Sequence, residues 1–311
     1  MQGCDDGTHR FLFDISGIYS ILHQGHDERN PERERIMSNR LLRVFLPPLF
    51  GIFLVSAMAC GAKNDGPEAA EGDIAGVSDT LAYAMKRVEK IYNEGKNPGD
   101  KDSYCRCSWP VFSGGSGVEA INRQVHAWIA DSTSLGPGKG APIEDLAERF
   151  LAEYDSFRKE FDTAVSYQFD LEASVVLDRP GLLTVDLSVQ SYTGGAHGNS
   201  MTRYLVFDTR TGRRLGLVDV FREGFEGPLN RLIDRRYREM RSLSETERLD
   251  GEKGRLFENY IHFNDNFALT PEGVTFYYNN YEIAAYAFGP TVIAFSYGEL
   301  ADLVKPEFRK R

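Results

Sequence analysis

Residues 167–207 constrain the fold more than any other part of the chain, because apolar and polar residues alternate in two successive segments and a third predicted strand follows them. The apolar positions of the first two segments are Tyr167, Phe169, Leu171, Ala173, Val175 and Leu177, then Leu183, Val185, Leu187 and Val189. The turn Arg179-Pro180-Gly181 separates these two segments, and Met201–Phe207 is the third. Such alternation predicts half-buried strands. Strands joined by short turns must be antiparallel, since parallel pairs need long crossovers.

Three segments outside this stretch show helical periodicity. Apolar residues recur at three- and four-residue steps in Val118–Ile129, in Ile143–Phe161 and in Leu229–Met240. Shorter patterns predict the remaining elements: a helix at Leu81–Tyr92, strands at Ser103–Phe112, Phe267–Leu269, Val274–Tyr278 and Thr291–Ser296, and a closing helix at Glu299–Val304. We therefore predict an α+β fold, an antiparallel sheet with helices packed on one face.

The N-terminal region has the features of a lipoprotein signal peptide that starts at Met37. Arg40 and Arg43 precede an apolar run, and small residues then lead to Cys60. We predict that residues 1–36 are upstream sequence without a fold, that residues 37–59 are the signal peptide and that Cys60 is lipidated. An ordinary secretory signal is the alternative.

The expected location follows from that signal. Residues 60–79 are rich in Gly, Ala, Asp and Glu, which predicts a flexible tether between a membrane and the folded part. We expect the chain in the cell envelope, lipid-anchored to a bacterial membrane, with its domain in the periplasm or outside the cell. Its only contact with the membrane would be the lipid anchor.

Cys105 and Cys107 are the cysteines that lipidation would leave in the mature chain. In an oxidising compartment this pair could form a disulfide. Alternate positions of an extended strand lie about 6.6–6.8 Å apart, however, which is tight for a Cys-x-Cys bridge. Free thiols, and a metal or redox role, are the other interpretations.

Charge and motifs exclude several classes of function. The formal net charge of -10 argues against a nucleic-acid partner, which needs a basic surface. Nucleophile-elbow, phosphate-loop and dinucleotide motifs are absent from the sequence, so no cofactor and no metal site are predicted. The His262–Asp265 segment is a weak metal cue. The glycines of Gly114–Gly117 precede a helix, where Ser116 is expected as N-cap in preference to an anion site.

The segment Tyr192–Ser200 contains three glycines and one of the few histidines between two predicted strands. The candidate residues are Tyr192, Thr193, Gly194, Gly195, His197, Gly198 and Asn199. Glycine adopts positive φ without cost and leaves the backbone accessible, and a two-residue hairpin needs only one or two such positions. Three interpretations are open: a longer hairpin whose imidazole bonds a backbone carbonyl, a binding loop, or catalysis by His197.

Two long motifs, SYTGGAHGNSMTRYLVFDTRTGRRLGLVDVF and FALTPEGVTFYYNNYEIAAYAFGPTVIAFSYGEL, are similar to the RsiV-like C-terminal domain family. The upstream motif YCRCSWPVFSGGSGVEAINRQV resembles the domain that precedes it, found in the deacetylase PdaC outside its catalytic part. The resemblance divides the folded chain into a PdaC-type part at residues 80–190 and an RsiV-like part at residues 191–305. It implies an extracytoplasmic α+β fold.

The resemblance also implies a function. In the anti-sigma factor of this family the C-terminal region binds lysozyme, but we find neither a sigma-binding segment nor a deacetylase domain in this chain. We therefore expect a non-catalytic module that binds a protein or glycan ligand such as lysozyme or peptidoglycan. The expected site is the loop of Tyr192–Asn199, with Tyr281 and Tyr286 in support. The alternative is a cell-wall glycan hydrolase that uses His197 and nearby carboxylates.

Overall fold

The computed structural model describes residues 81–132, 142–161 and 165–309. The predicted upstream segment, signal peptide, lipidated Cys60 and tether lie outside the described residues. Within the described ranges, every helix is too short or too polar to cross a membrane.

The first layer is a five-stranded sheet whose strands lie in sequence order. Its strands are β1 (Ala82–Ile91), β2 (Tyr104–Ser113), β3 (Gln168–Arg179), β4 (Leu182–Tyr192) and β5 (Asn199–Asp208). The antiparallel pairing predicted for these three segments is confirmed in β3, β4 and β5. The strands β2 and β3 are parallel, in contrast to the all-antiparallel prediction. The reason is their connection, since the two helices between them form the long crossover that a parallel pair requires.

Those helices are α1 (Val118–Asp131) and α2 (Ile143–Phe161), which cover one face of the sheet. Their apolar stripes are buried as predicted, with Ile121 and Ile129 of α1 and Leu146 and Phe150 of α2 at most 2% exposed. They pack against the inward-facing residues of β2 to β5 in one hydrophobic core. The expected division between residues 190 and 191 falls within β4, so the sheet extends across it.

A second hydrophobic core lies in the C-terminal part. It is built from the short helix α3 (Leu217–Val220), α4 (Glu226–Arg241) and an antiparallel three-stranded sheet of β6 (Phe267–Leu269), β7 (Gly273–Tyr278) and β8 (Thr291–Ser296). The α+β class and these strands agree with the sequence prediction. Leu182 and Val206 of the large sheet belong to this second core, which places it against that sheet.

Two predicted helices are wrong. Residues 82–91, which contain several good helix formers, form β1 because they pair with β2 along their whole length, and such tertiary pairing outweighs weak helix propensity. Residues 299–304 form turns instead of a closing helix. There, the main chain at Val304 bridges to Phe221, and Lys305 N–H donates to the Val220 carbonyl at 3.0 Å.

The predicted N-cap Ser116 is also wrong. The N-cap of α1 is Gly117, and the Ser116 hydroxyl donates instead to the Arg210 carbonyl at 2.5 Å. A Cβ on Gly117 would lie 2.2 Å from the nitrogen of Gly212, which itself has φ of +69°. Gly117 and Gly212 therefore allow the start of α1 to contact the turn after β5, and this packing accounts for Gly117 in the glycine-rich segment.

Two asparagine side chains join the small sheet to the outer edge of β5. Asn266 Oδ1 accepts from the Tyr204 N–H at 2.9 Å, and its Nδ2 donates to the Thr202 carbonyl at 2.8 Å. Asn279 Oδ1 accepts from the Thr202 N–H at 2.8 Å. Side-chain amides thus take the place of a neighbouring strand along this edge.

Candidate functional site

The loop between β4 and β5 is shaped by its three glycines. Gly194 and Gly195 have φ of +99° and +95°, a left-handed region that favours glycine. Gly198 has a different role, because a Cβ there would lie 3.0 Å from the Ser191 carbonyl oxygen. The Tyr192 hydroxyl donates to the Gly195 carbonyl at 3.2 Å and closes the loop on itself.

His197 is exposed on this loop and stacks on Tyr286, with ring centroids 3.8 Å apart and ring planes 13° from parallel. Its Nδ1 lies 2.9 Å from the Gly198 carbonyl oxygen, which also accepts from the Tyr286 hydroxyl at 2.8 Å. A carbonyl oxygen only accepts, so Nδ1 must carry a proton. In the neutral ring, Nε2 is then an acceptor that faces the Tyr281 hydroxyl at 3.5 Å.

Tyr281 completes a surface of three rings. Its centroid lies 5.7 Å from that of Tyr286 and 6.5 Å from that of His197, and 53% of the residue is exposed. Its φ of +64° is uncommon for a bulky residue. We call the rings of His197, Tyr281 and Tyr286 the aromatic surface. Tyr286 is half-buried with its hydroxyl satisfied by a carbonyl, whereas Tyr281 projects into solvent.

Polar residues around Tyr281 hold it in that conformation. Asn280 Nδ2 donates to the Ser200 hydroxyl at 2.9 Å. The carboxylate of Glu282 accepts from the Asn279 N–H at 2.8 Å and from Asn264 Nδ2 at 2.7 Å. Sequence analysis missed these residues as part of the site. The signal that could have pointed to them is the Asn279-Asn280 pair after a predicted strand, which is typical of a turn.

The structure therefore brings together the loop and the two tyrosines that we predicted from the sequence as parts of one site. Thr193, Asn199 and His197 are exposed around the loop, and Tyr192, Gly194 and Gly198 are partly covered. The imidazole bond to a backbone carbonyl is the feature expected of the hairpin interpretation. With His197 bonded to the Gly198 carbonyl, one face of the loop and the ring of Tyr281 stay open to a ligand.

The hydrolase alternative would require a carboxylate that orients His197. In the described part of the chain, the hydrogen bonds of His197 go to Gly198 and Tyr281. Burial raises the pKa of the Asp186 carboxyl, which makes it a candidate acid. Asp186 lies on β4, five residue pairs before the last pair of β4 with β5 next to the loop, which is about 17 Å along the strand.

No group of three or more potential metal ligands occurs among the residues described. The metal cue of His262–Asp265 has another explanation, because Asp265 forms a two-point ion pair with Arg203 at 2.8 and 2.9 Å. A hydrogen bond and charge from Arg203 lower the pKa of this carboxyl.

The two central cysteines lie inside the first core. Cys105 and Cys107 are free thiols at 0% and 2% exposure, and both side chains point from β2 toward the helices. A hydrogen bond with Cys107, together with burial, raises the pKa of the Cys105 thiol. In the structure both thiols are free and buried, an environment typical of structural cysteines.

Comparison with known proteins places two family regions on this fold. Residues 98–200 match the family described as deacetylase PdaC, and residues 218–298 match a protein family of unknown function, DUF3298. No curated protein matches the chain.

Two solved structures share the fold. A DUF3298 family member from Bacteroides fragilis NCTC 9343 is 23% identical, with a TM-score of 0.56 over 73% of this chain and 96% of that one. A DUF3298 family protein from Pseudomonas aeruginosa PAO1 is 20% identical, with a TM-score of 0.53 over 75% of this chain and 98% of that one. The chain thus has a region that matches the PdaC family followed by a region that matches DUF3298, and it shares the fold of these two DUF3298 family proteins.

Proposed function

We propose that this chain is an extracytoplasmic binding module that takes a protein or glycan ligand on the aromatic surface. The observation that carries the proposal is the meeting of three rings from distant segments at one exposed loop. Exposed aromatic rings supply large contact area at low entropic cost, and tyrosine is enriched among residues that dominate binding energy.

The arrangement is preorganised, which favours binding over a purely structural role. Tyr281 is held at positive φ by its polar neighbours although more than half of it is exposed. Strained backbone of this kind clusters at ligand-binding sites, because the surrounding structure must support its cost. Hairpin closure alone does not require it, since the Gly198 carbonyl is already bonded by His197 and Tyr286.

The two matched regions both contribute to the aromatic surface. His197 lies within the PdaC match and Tyr281 and Tyr286 lie within the DUF3298 match. In this chain the surface therefore needs residues of both regions. This supports a function of the combined module, and the similarity to the RsiV-like family suggests lysozyme or peptidoglycan as the first ligands to test.

The test is calorimetric titration of the full chain with lysozyme and with soluble peptidoglycan fragments, repeated for His197→Ala and Tyr281→Ala. The matched control is Tyr83→Ala, because Tyr83 is similarly exposed at 47% but lies at the opposite end of the sheet on its far edge. We expect saturable heat with one ligand, and a loss of affinity of about tenfold or more in the two site variants only.

Two results would count against the proposal. Absence of saturable heat with both ligands removes lysozyme and peptidoglycan as ligands. Equal affinity of His197→Ala, Tyr281→Ala and Tyr83→Ala removes the aromatic surface as the binding site even where binding occurs.

We further propose that the module is attached to a bacterial membrane through Cys60. The support is the order of charged, apolar and small residues before that cysteine. In cells, Cys60→Ala should move the protein from the membrane fraction to the soluble fraction. A Cys105→Ala variant, which removes a buried thiol in the described domain, is the control and should stay with the membrane.

A further inference from the structure

A second candidate site lies at the other end of the large sheet from the aromatic surface. It is a groove of about 400 Å³ beside the turn that joins β3 to β4. Four cationic and three acidic side chains line it: Arg179, Arg210, Arg213 and Lys305, with Asp208, Asp219 and Glu307. The lining therefore carries one more positive than negative charge, in a chain whose overall charge is -10.

Main-chain carbonyl oxygens hold two of the four cationic side chains in place. Arg179 donates from Nη2 to the Phe308 carbonyl at 2.8 Å. Lys305 Nζ donates to the Val218 and Asp219 carbonyls at 3.0 and 2.7 Å. Carbonyl bonds position these groups but do not neutralise their charge, and each side chain keeps further N–H donors.

The other two cations differ in how they are paired. Arg213 Nη1 donates to Asp219 Oδ2 at 2.9 Å, and this bond lowers the pKa of Asp219. The Arg210 guanidinium lies next to Gly181, and a Cβ added to Gly181 would be 3.5 Å from Arg210 Nη2. Its contact with Asp208 Oδ2 at 3.7 Å is too long for a hydrogen bond. Among the described residues, no acceptor takes a hydrogen bond from this guanidinium.

We propose that this groove binds a singly charged oxyanion group, a phosphodiester or a carboxylate, with Arg210 as its principal donor. Arginine presents its donors in a planar fork that matches such oxygens. The single excess positive charge of the lining suits a monoanion better than a dianion. The groove volume is that of a small-molecule site, and four separate chain segments converge to form it.

The test is nuclear magnetic resonance titration of the full chain with dimethyl phosphate, acetate and inorganic phosphate at constant ionic strength. The arginine side-chain N–H resonances are the readout. We expect saturable shifts at Arg210 with dimethyl phosphate or acetate, and weaker binding of the dianionic phosphate.

Two variants decide whether the groove is the site. Arg210→Gln should weaken binding about fivefold or more, whereas Glu307→Gln, which removes a negative charge from the lining, should strengthen it about twofold or more. The control is Arg248→Gln, because Arg248 has the same side-chain exposure of 67% and also lies two residues from an aspartate, but its guanidinium is hydrogen-bonded to that carboxylate. The control should leave the affinity unchanged.

Equal weakening by Arg210→Gln and Arg248→Gln would indicate general charge attraction and overturn the proposal, as would shifts that rise linearly without saturation. Sedimentation with phosphatidylglycerol vesicles, against phosphatidylcholine vesicles, distinguishes a lipid headgroup from a free phosphodiester. Arg210 lies outside the aromatic surface, so this result is independent of the ligand proposed there.

Discussion

Replacing Asn266 by alanine should destabilise the fold at the join between the two sheets. Asn266 is 3% exposed, and its amide makes three hydrogen bonds to main-chain groups. It accepts from Tyr204 N–H at 2.9 Å and donates to the carbonyls of Thr202 and Tyr277 at 2.8 and 3.1 Å. The substitution removes all three bonds and leaves the side-chain volume empty.

The size of the effect depends on which partners keep a second bond. The Thr202 carbonyl keeps Asn279 Nδ2 at 3.2 Å, and the Tyr277 carbonyl keeps Asn264 Nδ2 at 2.8 Å. The Tyr204 N–H has no second acceptor within the described residues, so it carries the cost of an unsatisfied donor, about 1–3 kcal/mol. With two further bonds at about 0.5–1 kcal/mol each, we expect a loss of about 2–5 kcal/mol in the free energy of unfolding.

Urea unfolding followed by far-ultraviolet circular dichroism measures this loss. The control is Asn259→Ala, because Asn259 is exposed and makes one such bond, to the Leu249 N–H at 2.8 Å. Leu249 is 0% exposed, so its N–H also becomes an unsatisfied donor. We expect a loss of about 1–3 kcal/mol, smaller than that of Asn266→Ala because the two donated bonds of Asn266 have no counterpart here. A difference of less than about 0.5 kcal/mol between the two variants, which is the usual range of surface substitutions, would refute the account of Asn266 as the link between the sheets.

Asn266→Asp separates hydrogen bonding from volume. The carboxylate keeps the acceptor for Tyr204 N–H but turns both donated bonds into contacts between two acceptors. Desolvation and these contacts favour the protonated carboxyl in the folded state, so its pKa is raised above that of the unfolded chain. Protonation restores one donor. The destabilisation relative to wild type should therefore be largest at neutral pH and shrink as the pH falls through the raised pKa.

Three further predictions concern other parts of the fold. Gly117→Ala should destabilise the chain by more than about 1 kcal/mol in urea unfolding, because its Cβ would lie 2.2 Å from the Gly212 nitrogen. A main-chain N–H lowers the pKa of Glu247 to about 2, below its ordinary value of 4.5. Glu247→Gln should therefore have its full destabilising effect above pH 4.5, and this effect should vanish as the pH falls toward 2. Cys105 and Cys107 should react with a thiol reagent only on unfolding, and fast reaction in the native state would contradict their burial.

The sequence predicted those elements whose pattern is set by burial on one face. The strands β3 and β4 alternate and α2 repeats every three to four residues, since each must cover one core. The pattern failed at β1, where most residues from 82 to 91 are exposed and no alternation marks the strand. Pairing with β2 decides its structure, and pairing partners are invisible in the residues of one strand.

The candidate site was predictable for the loop and much less so for its surroundings. Three glycines and a histidine in one turn indicate an unusual backbone, and the structure explains each glycine by φ or by close approach. The stacking of His197 on Tyr286 depends on long-range geometry, as these residues are 89 positions apart by their numbers. Only the resemblance to a family, and no local pattern, pointed to Tyr281 and Tyr286 before the fold was known.

The asparagines explain why local sequence could not define the site. Asn279 bonds the β5 edge at Thr202 and Asn280 bonds Ser200, so the edge of one sheet sets the position of the turn that carries Tyr281. Each amide looks like an ordinary turn residue in the sequence. Because β5 also ends the glycine loop, the same strand that fixes Tyr281 also fixes His197. The distance between the two rings is therefore a property of the join between the sheets, and a ligand that spans both rings would be sensitive to substitutions at Asn279 and Asn280 that it never touches.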